Sequence, residues 1–410
     1  MADIKNWLNG VTNDEYVWYI KRLSGNDTLA NDTHQAGPYI PRGFLFKIFP
    51  ILEDENKINP DIWFPLSIDS HISVVNNNYV DRNIRAVWYN NKLHGGTRNE
   101  ARITNFGGIN SPLLDPENTG ALTVLAFRVD NNAEAINCRV WVCKDISEEQ
   151  ILEERIGDVE PGKWYVHVNK DEFRSVFKEF TTSESDCWLS YDQIPREWLI
   201  ELPTGAEIIE KTVELRSSLQ YDPDKRLLRR RDCEFEIFRS VESAVELPII
   251  KQGFDNVDDF IKKALSILNS RKTRTGRSLE LHARKIFQEE GLIEDEDFSY
   301  SPTSEYGKRP DFLFPTEKAY HDEKFPKDKL NMLAVKTTCK DRWRQVLNEA
   351  DRIPEKYLLT LQEGISEKQF DEMKRAGVHL VVPRPLFSSY SKNIHKHLKS
   401  LEEFIKTVQT

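Results

Sequence analysis

Leu333-Ala-Val-Lys-Thr-Thr-Cys-Lys-Asp-Arg-Trp-Arg-Gln-Val-Leu-Asn-Glu-Ala350 is the stretch on which the fold turns. With Met332 in front it begins as a strand whose side chains alternate, so Met332, Ala334 and Lys336 share one face and Leu333 and Val335 the other. An ammonium group therefore closes a mostly apolar strand. The period then changes to that of a helix, expected over 341–350, with Trp343, Val346, Leu347 and Ala350 as its core stripe and Glu349 on the flank shared with Arg342 and Gln345. Upstream, Pro310-Asp311 opens the apolar run Phe312-Leu-Phe314 and sets a carboxylate at the mouth of another short strand. Asp311 precedes Lys336 by 25 residues, and Glu349 follows it by 13.

Those residue types suit the hydrolysis of phosphodiesters. Carboxylates hold a hard divalent cation, and a nearby ammonium orients water and steadies the charge gathering on phosphate. Pro-Asp alone says little, since Pro60-Asp61 and Pro223-Asp224 suit ordinary turns. The PD-(D/E)xK nucleases usually carry a second acid two residues before the lysine, and here that position is Ala334. Glu349 and Glu280, the latter in Ser278-Leu-Glu-Leu-His282, are the acids available to replace it.

Working outward, 410 residues favour two domains. From Tyr16 to about Val168 the pattern is short apolar runs between polar turns (18–20, 43–49, 84–89, 122–127, 139–143 and 164–167), the grammar of a β-barrel or sandwich with one or two helices. A Ser/Thr/Asp-rich stretch follows, and beyond it helices alternate with strands in a mixed α/β pattern. Helices are expected over 255–268, over 278–290 with Ser278 as cap, and over 367–376; strands over 312–314, 332–337, 357–361 and 378–382. The expected division is 1–180, a linker over 181–205, and 206–410.

Hydrophobic residues at 39% and charged ones at 30% fit a folded, soluble chain, and no run approaches a membrane span. The start lacks a secretory layout, so the cytoplasm of a bacterium is the expected location. The net charge of −10 divides unevenly: up to residue 205 there are 20 Lys+Arg against 31 Asp+Glu (20 − 31 = −11), and beyond it 37 against 36 (37 − 36 = +1). Bases in the second part stand in clusters that net charge hides. The five cysteines are scattered and read as reduced, buried thiols with neither a disulfide framework nor a zinc module.

The run 333–350, with Pro310-Asp-Phe-Leu-Phe-Pro315, Ala319-Tyr-His-Asp322, Ser278-Leu-Glu-Leu-His282, Tyr19-Ile-Lys-Arg-Leu23 and Asp115-Pro-Glu-Asn-Thr-Gly-Ala-Leu-Thr123, resembles the EcoRII-type restriction endonucleases over nearly the whole chain. In that family the second acid has moved from the strand to the next helix. The resemblance therefore implies Asp311, Lys336 and Glu349 as the core site, Asp311 and Glu349 as ligands of Mg²⁺, and Glu280 as an additional acid. It also implies an α+β chain of two parts, an N-terminal pseudobarrel similar to plant B3 domains and a C-terminal α/β nuclease domain with a mixed central sheet.

Lys340-Asp341-Arg342 sets two donors around one acceptor, which matches a CC:GG step: Lys or Arg donates to guanine O6 and N7, and a carboxylate accepts from cytosine N4. A two-fold dimer presents the triplet twice and reads a palindrome. The family implies the same role, at a site of the form CC, a central A/T pair, GG, cut 5′ of the first C and protected in the host by a cognate methyltransferase. In the N-terminal part, His34-Gln-Ala-Gly-Pro-Tyr39 and His94-Gly-Gly-Thr-Arg-Asn-Glu-Ala-Arg102 match the family's DNA-reading loops, carrying over His34, Tyr39, Arg98, Glu100 and Arg102. The resemblance implies that this region binds a second copy of the site as effector and relieves autoinhibition. The family pattern has lysines where this chain has Gly96 and Ala101, so weaker phosphate contact is expected.

Smaller signals complete the reading. Tyr320 lies between Asp311 and Lys336 in sequence and is a candidate contact to the scissile phosphate. Arg229-Arg230-Arg231 is a candidate phosphate grip or pseudo-substrate, against a salt-bridge network; Arg271, Lys272, Arg274 and Arg277 are candidate phosphate contacts, against a solvated loop. Two competing functions stay open: a structure-selective repair nuclease of the same superfamily, and a DNA-binding regulator with an inert nuclease half.

Overall fold

The computed structural model describes residues 3–13, 15–31, 37–71, 82–177 and 186–409. The chain is a mixed α+β protein of two compact units, one of residues 1–183 with 362–370 and 389–394, the other of the remainder.

The first unit is built on one seven-stranded mixed sheet. Its strands are β1 (Tyr16–Arg22), β2 (Asp61–Ile68), β3 (Arg82–Tyr89), β4 (Glu100–Thr104), β5 (Leu122–Val129), β6 (Ala135–Val142) and β7 (Trp164–Val168), in the spatial order β4-β3-β2-β6-β5-β1-β7. β2 and β6 run parallel and the other neighbours antiparallel. β1 is buried along its whole length because both faces of the sheet are covered. Val17 and Tyr19 join the larger core with Phe44, Phe64 and Phe127; Tyr16, Trp18 and Ile20 face helix α1 (Ile4–Val11) and helix α3 (Ile146–Ile156). The run 43–49, expected among the β segments, is instead helix α2 (Arg42–Ile48), whose Phe44, Leu45 and Ile48 fall on one helical face and are buried. Lys21 and Arg22 end β1 inside the protein, and both are neutralised: Lys21 pairs with Asp27 at 2.6 Å, and Arg22 with Glu149 at 2.8 Å and Glu153 at 2.7 Å.

The second unit carries a five-stranded mixed sheet of β8 (Ser299–Tyr300), β9 (Phe312–Phe314), β10 (Asn331–Val335), β11 (Lys356–Leu359) and β12 (Val378–Val381), in the order β12-β11-β10-β9-β8. β10, β11 and β12 are parallel; β9 and β8 are antiparallel additions. Phe312, Phe314, Leu333, Val335, Leu359 and Val381 point to one face and pack on long helices, so the alternation expected for 332–336 holds. Those helices are α5 (Pro223–Gln252) and α6 (Val257–Glu289), preceded by α4 (Gly205–Leu215); the short α7 (Glu317–His321) follows β9, and α9 (Leu401–Val408) closes the same core.

Three local expectations are corrected. Helices 255–268 and 278–290 are one continuous α6, capped by Asn256, whose side chain accepts from the Asp259 amide at 2.9 Å. Ser278 is mid-helix, with its hydroxyl turned to Glu234 of α5. The helix expected over 341–350 is the single turn α8 (Trp343–Val346), and four residues on the chain turns left-handed at Ala350, where φ is 48°. Cys187 and Cys233, read as reduced thiols, form a disulfide across 46 residues, while Cys138, Cys143 and Cys339 are buried thiols outside any disulfide.

That bond belongs to a small core in which Cys187, Leu189, Ile194 and Trp198 are buried with Ile208, Ile237, Phe238 and Val241. The described part of 181–205 is thus packed chain, and 181–185 lie outside the described residues. Among the described residues no helix is long and apolar enough to cross a membrane.

Candidate active site

The site grows from one feature of register. β9 and β10 pair antiparallel with Phe314 opposite Asn331, Leu313 opposite Met332 and Phe312 opposite Leu333. One step further sets Asp311 opposite Ala334, on the face that Met332, Ala334 and Lys336 share. Asp311 accepts from the Val335 amide at 2.6 Å and from Lys336 Nζ at 3.2 Å. The strand pairing therefore brings together two groups that sequence separates by 25 residues.

Glu349 enters from the turn after α8, close enough for the charges of Lys336 and Asp311 to act on it. Burial pushes its carboxyl up to about 7; Lys336 works against the rise and Asp311 with it. Glu280, on α6, is likewise pushed up to about 7, first by burial and then by Asp311, with Lys336 opposing. It accepts from the Tyr300 hydroxyl at 3.2 Å. Ala334 is fully buried and small, so the space a strand acid would fill is left to the acid arriving from the turn. One hydrogen-bonded lysine–carboxylate pair thus stands at the ends of β9 and β10, with the Glu349 and Glu280 carboxyls near enough for its charges to act on them.

The donors fit a hard divalent ion. All are carboxylate oxygens, and Glu349 Oε2 is buried with no hydrogen-bond partner, a cost that a bound cation would remove. Among the described residues no three His, Cys, Asp or Glu side chains already stand as a metal cage. Sites that hold Mg²⁺ by one or two carboxylates plus water and substrate phosphate need none.

Lys340 is 8% exposed, and Asp341 and Arg342 are half-buried, just ahead of α8. In the first unit Tyr39 is 62% exposed, and its backbone is fixed by Asp27, which accepts from the Tyr39 amide at 2.7 Å, and by the Tyr19 hydroxyl, which donates to its carbonyl at 2.9 Å. Glu100 lies between Arg98 and Arg102, and Arg98 stacks on the Tyr89 ring at 3.8 Å. Burial acts to raise the Glu100 pKa, but hydrogen bonds from the two arginines outweigh it and hold the carboxyl below its usual range. Glu100 and Arg102 share one face of edge strand β4, whereas Ala101 turns toward the core. Gly96 follows Gly95, whose φ of 84° allows the tight turn. His34 lies outside the described residues.

The remaining candidates have other partners. Arg230 is fully buried on Glu289, at 2.8 Å, and Arg231 is buried among Glu234 and Ser278, so neither is free to grip a phosphate. Arg229 stacks on Tyr221. Arg271 and Arg274 lie within α6 and pair with Glu242 and Glu234 of α5. Tyr320 is buried, donates to Glu305 and receives the Arg352 amide at 3.2 Å; burial and the bond to Glu305 push its hydroxyl above the usual range, against the Arg352 amide. It is held as a structural group. Tyr300 was missed by sequence reasoning, since nothing local ties it to an acid 20 residues upstream.

Comparison with known proteins supplies the family. The profile described as "EcoRII C terminal" matches residues 238–405, and that described as "Restriction endonuclease EcoRII, N-terminal" matches 12–172. The type II restriction enzyme EcoRII of Escherichia coli is 41% identical over 407 residues, 99% of this chain and 97% of that protein. The chain belongs to the EcoRII family of restriction endonucleases. The type II restriction enzyme SsoII of Shigella sonnei is 25% identical over 252 residues, 54% of this chain and 73% of that one. Two solved structures of Ecl18kI, metal-depleted and in complex with uncleaved DNA, modified in one of them, give TM-scores of 0.42 and 0.43 at 20% and 19% identity; each covers 52% of this chain and 80% of its own. Family membership fits a DNA-binding nuclease of restriction and modification, and both family regions are present in one chain.

Proposed function

We propose that this protein is a homodimeric, Mg²⁺-dependent site-specific deoxyribonuclease that hydrolyses double-stranded DNA at a CC(A/T)GG-like palindrome, 5′ of the first C. The observation that carries the proposal is the Asp311–Lys336 pair, with the Glu349 carboxyl within reach of both charges and its Oε2 buried and unpartnered. Asp311 and Glu349 would hold the ion, with Glu280 beside them; when bound, it polarises the phosphate and lowers the pKa of water. Lys336, fixed by Asp311, orients the water and offsets charge on the phosphate. The strand register keeps Asp311 and Lys336 in place before substrate arrives, so little reorganisation of that pair is left for the reaction itself.

Lys340, Asp341 and Arg342 are the base-reading triplet, offered twice by a dimer. The N-terminal region, taken as a B3-like pseudobarrel, binds a second copy of the site through His34, Tyr39, Arg98, Glu100 and Arg102. The setting is the bacterial cytoplasm, with a cognate methyltransferase protecting host sites.

Mapping of cut ends on a plasmid tests this. With Mg²⁺, fixed ends at CC…GG are expected, and without it none. Dispersed ends would point to a repair nuclease, and intact plasmid with Mg²⁺ to a regulator with an inert nuclease half. Effector action has its own measurement: one-site DNA should be cut slowly, and a short duplex carrying the site should accelerate it. Unchanged rates with added duplex would remove the effector role and leave the nuclease assignment standing.

A further inference from the structure

Glu349 is set by a bend that its own residues do not favour. Ala350, next in the chain, has φ of 48°, in the left-handed region. That conformation is unfavourable for an L residue and persists where the surroundings impose it. In this family arrangement the second acid has left the strand and lost the ladder that would fix it, so something else must place it.

Three side chains meet the bend. Lys356, on β11, is 5% exposed, and its ammonium donates to the carbonyls of Ala350 at 3.0 Å and Ile353 at 2.6 Å. Burial lowers its pKa, against the pull of Asp351, Glu305 and Glu349. Glu305 accepts from the Asp351 amide at 3.1 Å and from the Tyr320 hydroxyl, whose oxygen accepts from the Arg352 amide at 3.2 Å. The Arg352 guanidinium then closes onto the carbonyls of Ala319, Tyr320 and Phe325. A buried lysine aimed at two backbone carbonyls is a costly way to satisfy them, and here they are the carbonyls that bracket the turn after Glu349.

We infer that Lys356 and the Glu305–Tyr320 pair are positioning residues of the cleavage site, holding turn 350–353 in its left-handed bend and thereby setting where the Glu349 carboxylate stands for the metal. This rests on Glu349 being a metal-holding group. Tyr320 acts through the backbone, one step removed from the phosphate.

Binding of Mn²⁺ alone to the full chain at pH 8, without DNA, read as loss of the free-ion EPR signal, is the test. Tyr320→Phe and Glu305→Gln are expected to weaken binding by about tenfold, the range for partners that orient a ligand. Lys356→Arg should bind more tightly than Lys356→Met, and thermal melts check that each variant is folded. With Glu349 already replaced by Ala, Tyr320→Phe should add nothing. If Glu349→Ala weakens binding but Tyr320→Phe does not, or if Tyr320→Phe weakens it equally with and without Glu349, positioning is wrong and the metal site stands. If Glu349→Ala itself leaves Mn²⁺ binding unchanged, the metal role of Glu349 fails and the inference with it.

Discussion

Lys336→Ala is expected to lower the rate of DNA cleavage by about 10³-fold or more and to leave DNA binding intact. The ammonium stands 3.2 Å from Asp311 at the end of β10. Removing one well-placed charge or donor from a site of this kind costs on the order of 10²–10³ in rate, and Lys336 has two tasks, orienting water and offsetting phosphate charge. The strand should survive the change, because Leu333 and Val335 anchor it from the opposite face. A second effect separates this account from a general loss of structure. Lys336 opposes the rise in the Glu349 and Glu280 pKa values. Without it those carboxyls hold their protons to higher pH, so metal binding should need a more alkaline solution. Single-turnover cleavage and a gel-shift titration check the first claim, and a metal titration at several pH values the second. Cleavage by the variant at the wild-type rate would falsify the mechanism.

Sequence carried the strand end and the acid for a physical reason. An alternating run has one solution for its faces, so Met332, Ala334 and Lys336 had to lie together. The pairing partner had no local signature, and only register shows that Asp311 takes the position opposite Ala334. Glu349 was found by its distance from Lys336 and by family likeness. Its surroundings were not, because the left-handed Ala350 is imposed by Lys356, Glu305 and Tyr320, all distant in sequence. Ser278 misled in a similar way. It looks like a helix cap until Glu234 of the neighbouring helix is seen to take its hydroxyl. The same helix contact turns Arg271 and Arg274 from free bases into partners of Glu242 and Glu234. Cys187 sits in a stretch of linker-like composition, and a bond to a residue 46 positions away leaves no local trace.

The second large effect is expected at Glu349. Glu349→Gln keeps the size of the side chain and removes its charge, and cleavage should fall by roughly 10²-fold or more if the carboxylate helps hold the ion. The pH dependence makes the point sharper. With carboxyls pushed up to about 7, Glu349 and Glu280 are largely protonated in the metal-free protein at pH 6 and ionised at pH 8. A metal ligand must be ionised, so protons compete with metal below about 7. Metal affinity in the wild type should therefore climb steeply from pH 6 to 7 and level off above. Stability without metal runs the other way. Between the ordinary carboxyl value of 4.5 and the raised value the folded state binds more protons than the unfolded one, so stability falls as pH rises through that window. Glutamine cannot ionise, so metal-free Glu349→Gln should lose less stability than the wild type between pH 5 and pH 8, even as its metal affinity drops and its slope with pH becomes shallower. Thermal melts at the two pH values, with and without Mg²⁺, measure both. A variant that lost activity but kept the wild-type pH slope for metal binding would place the titrating ligand elsewhere, with Glu280 the first residue to examine.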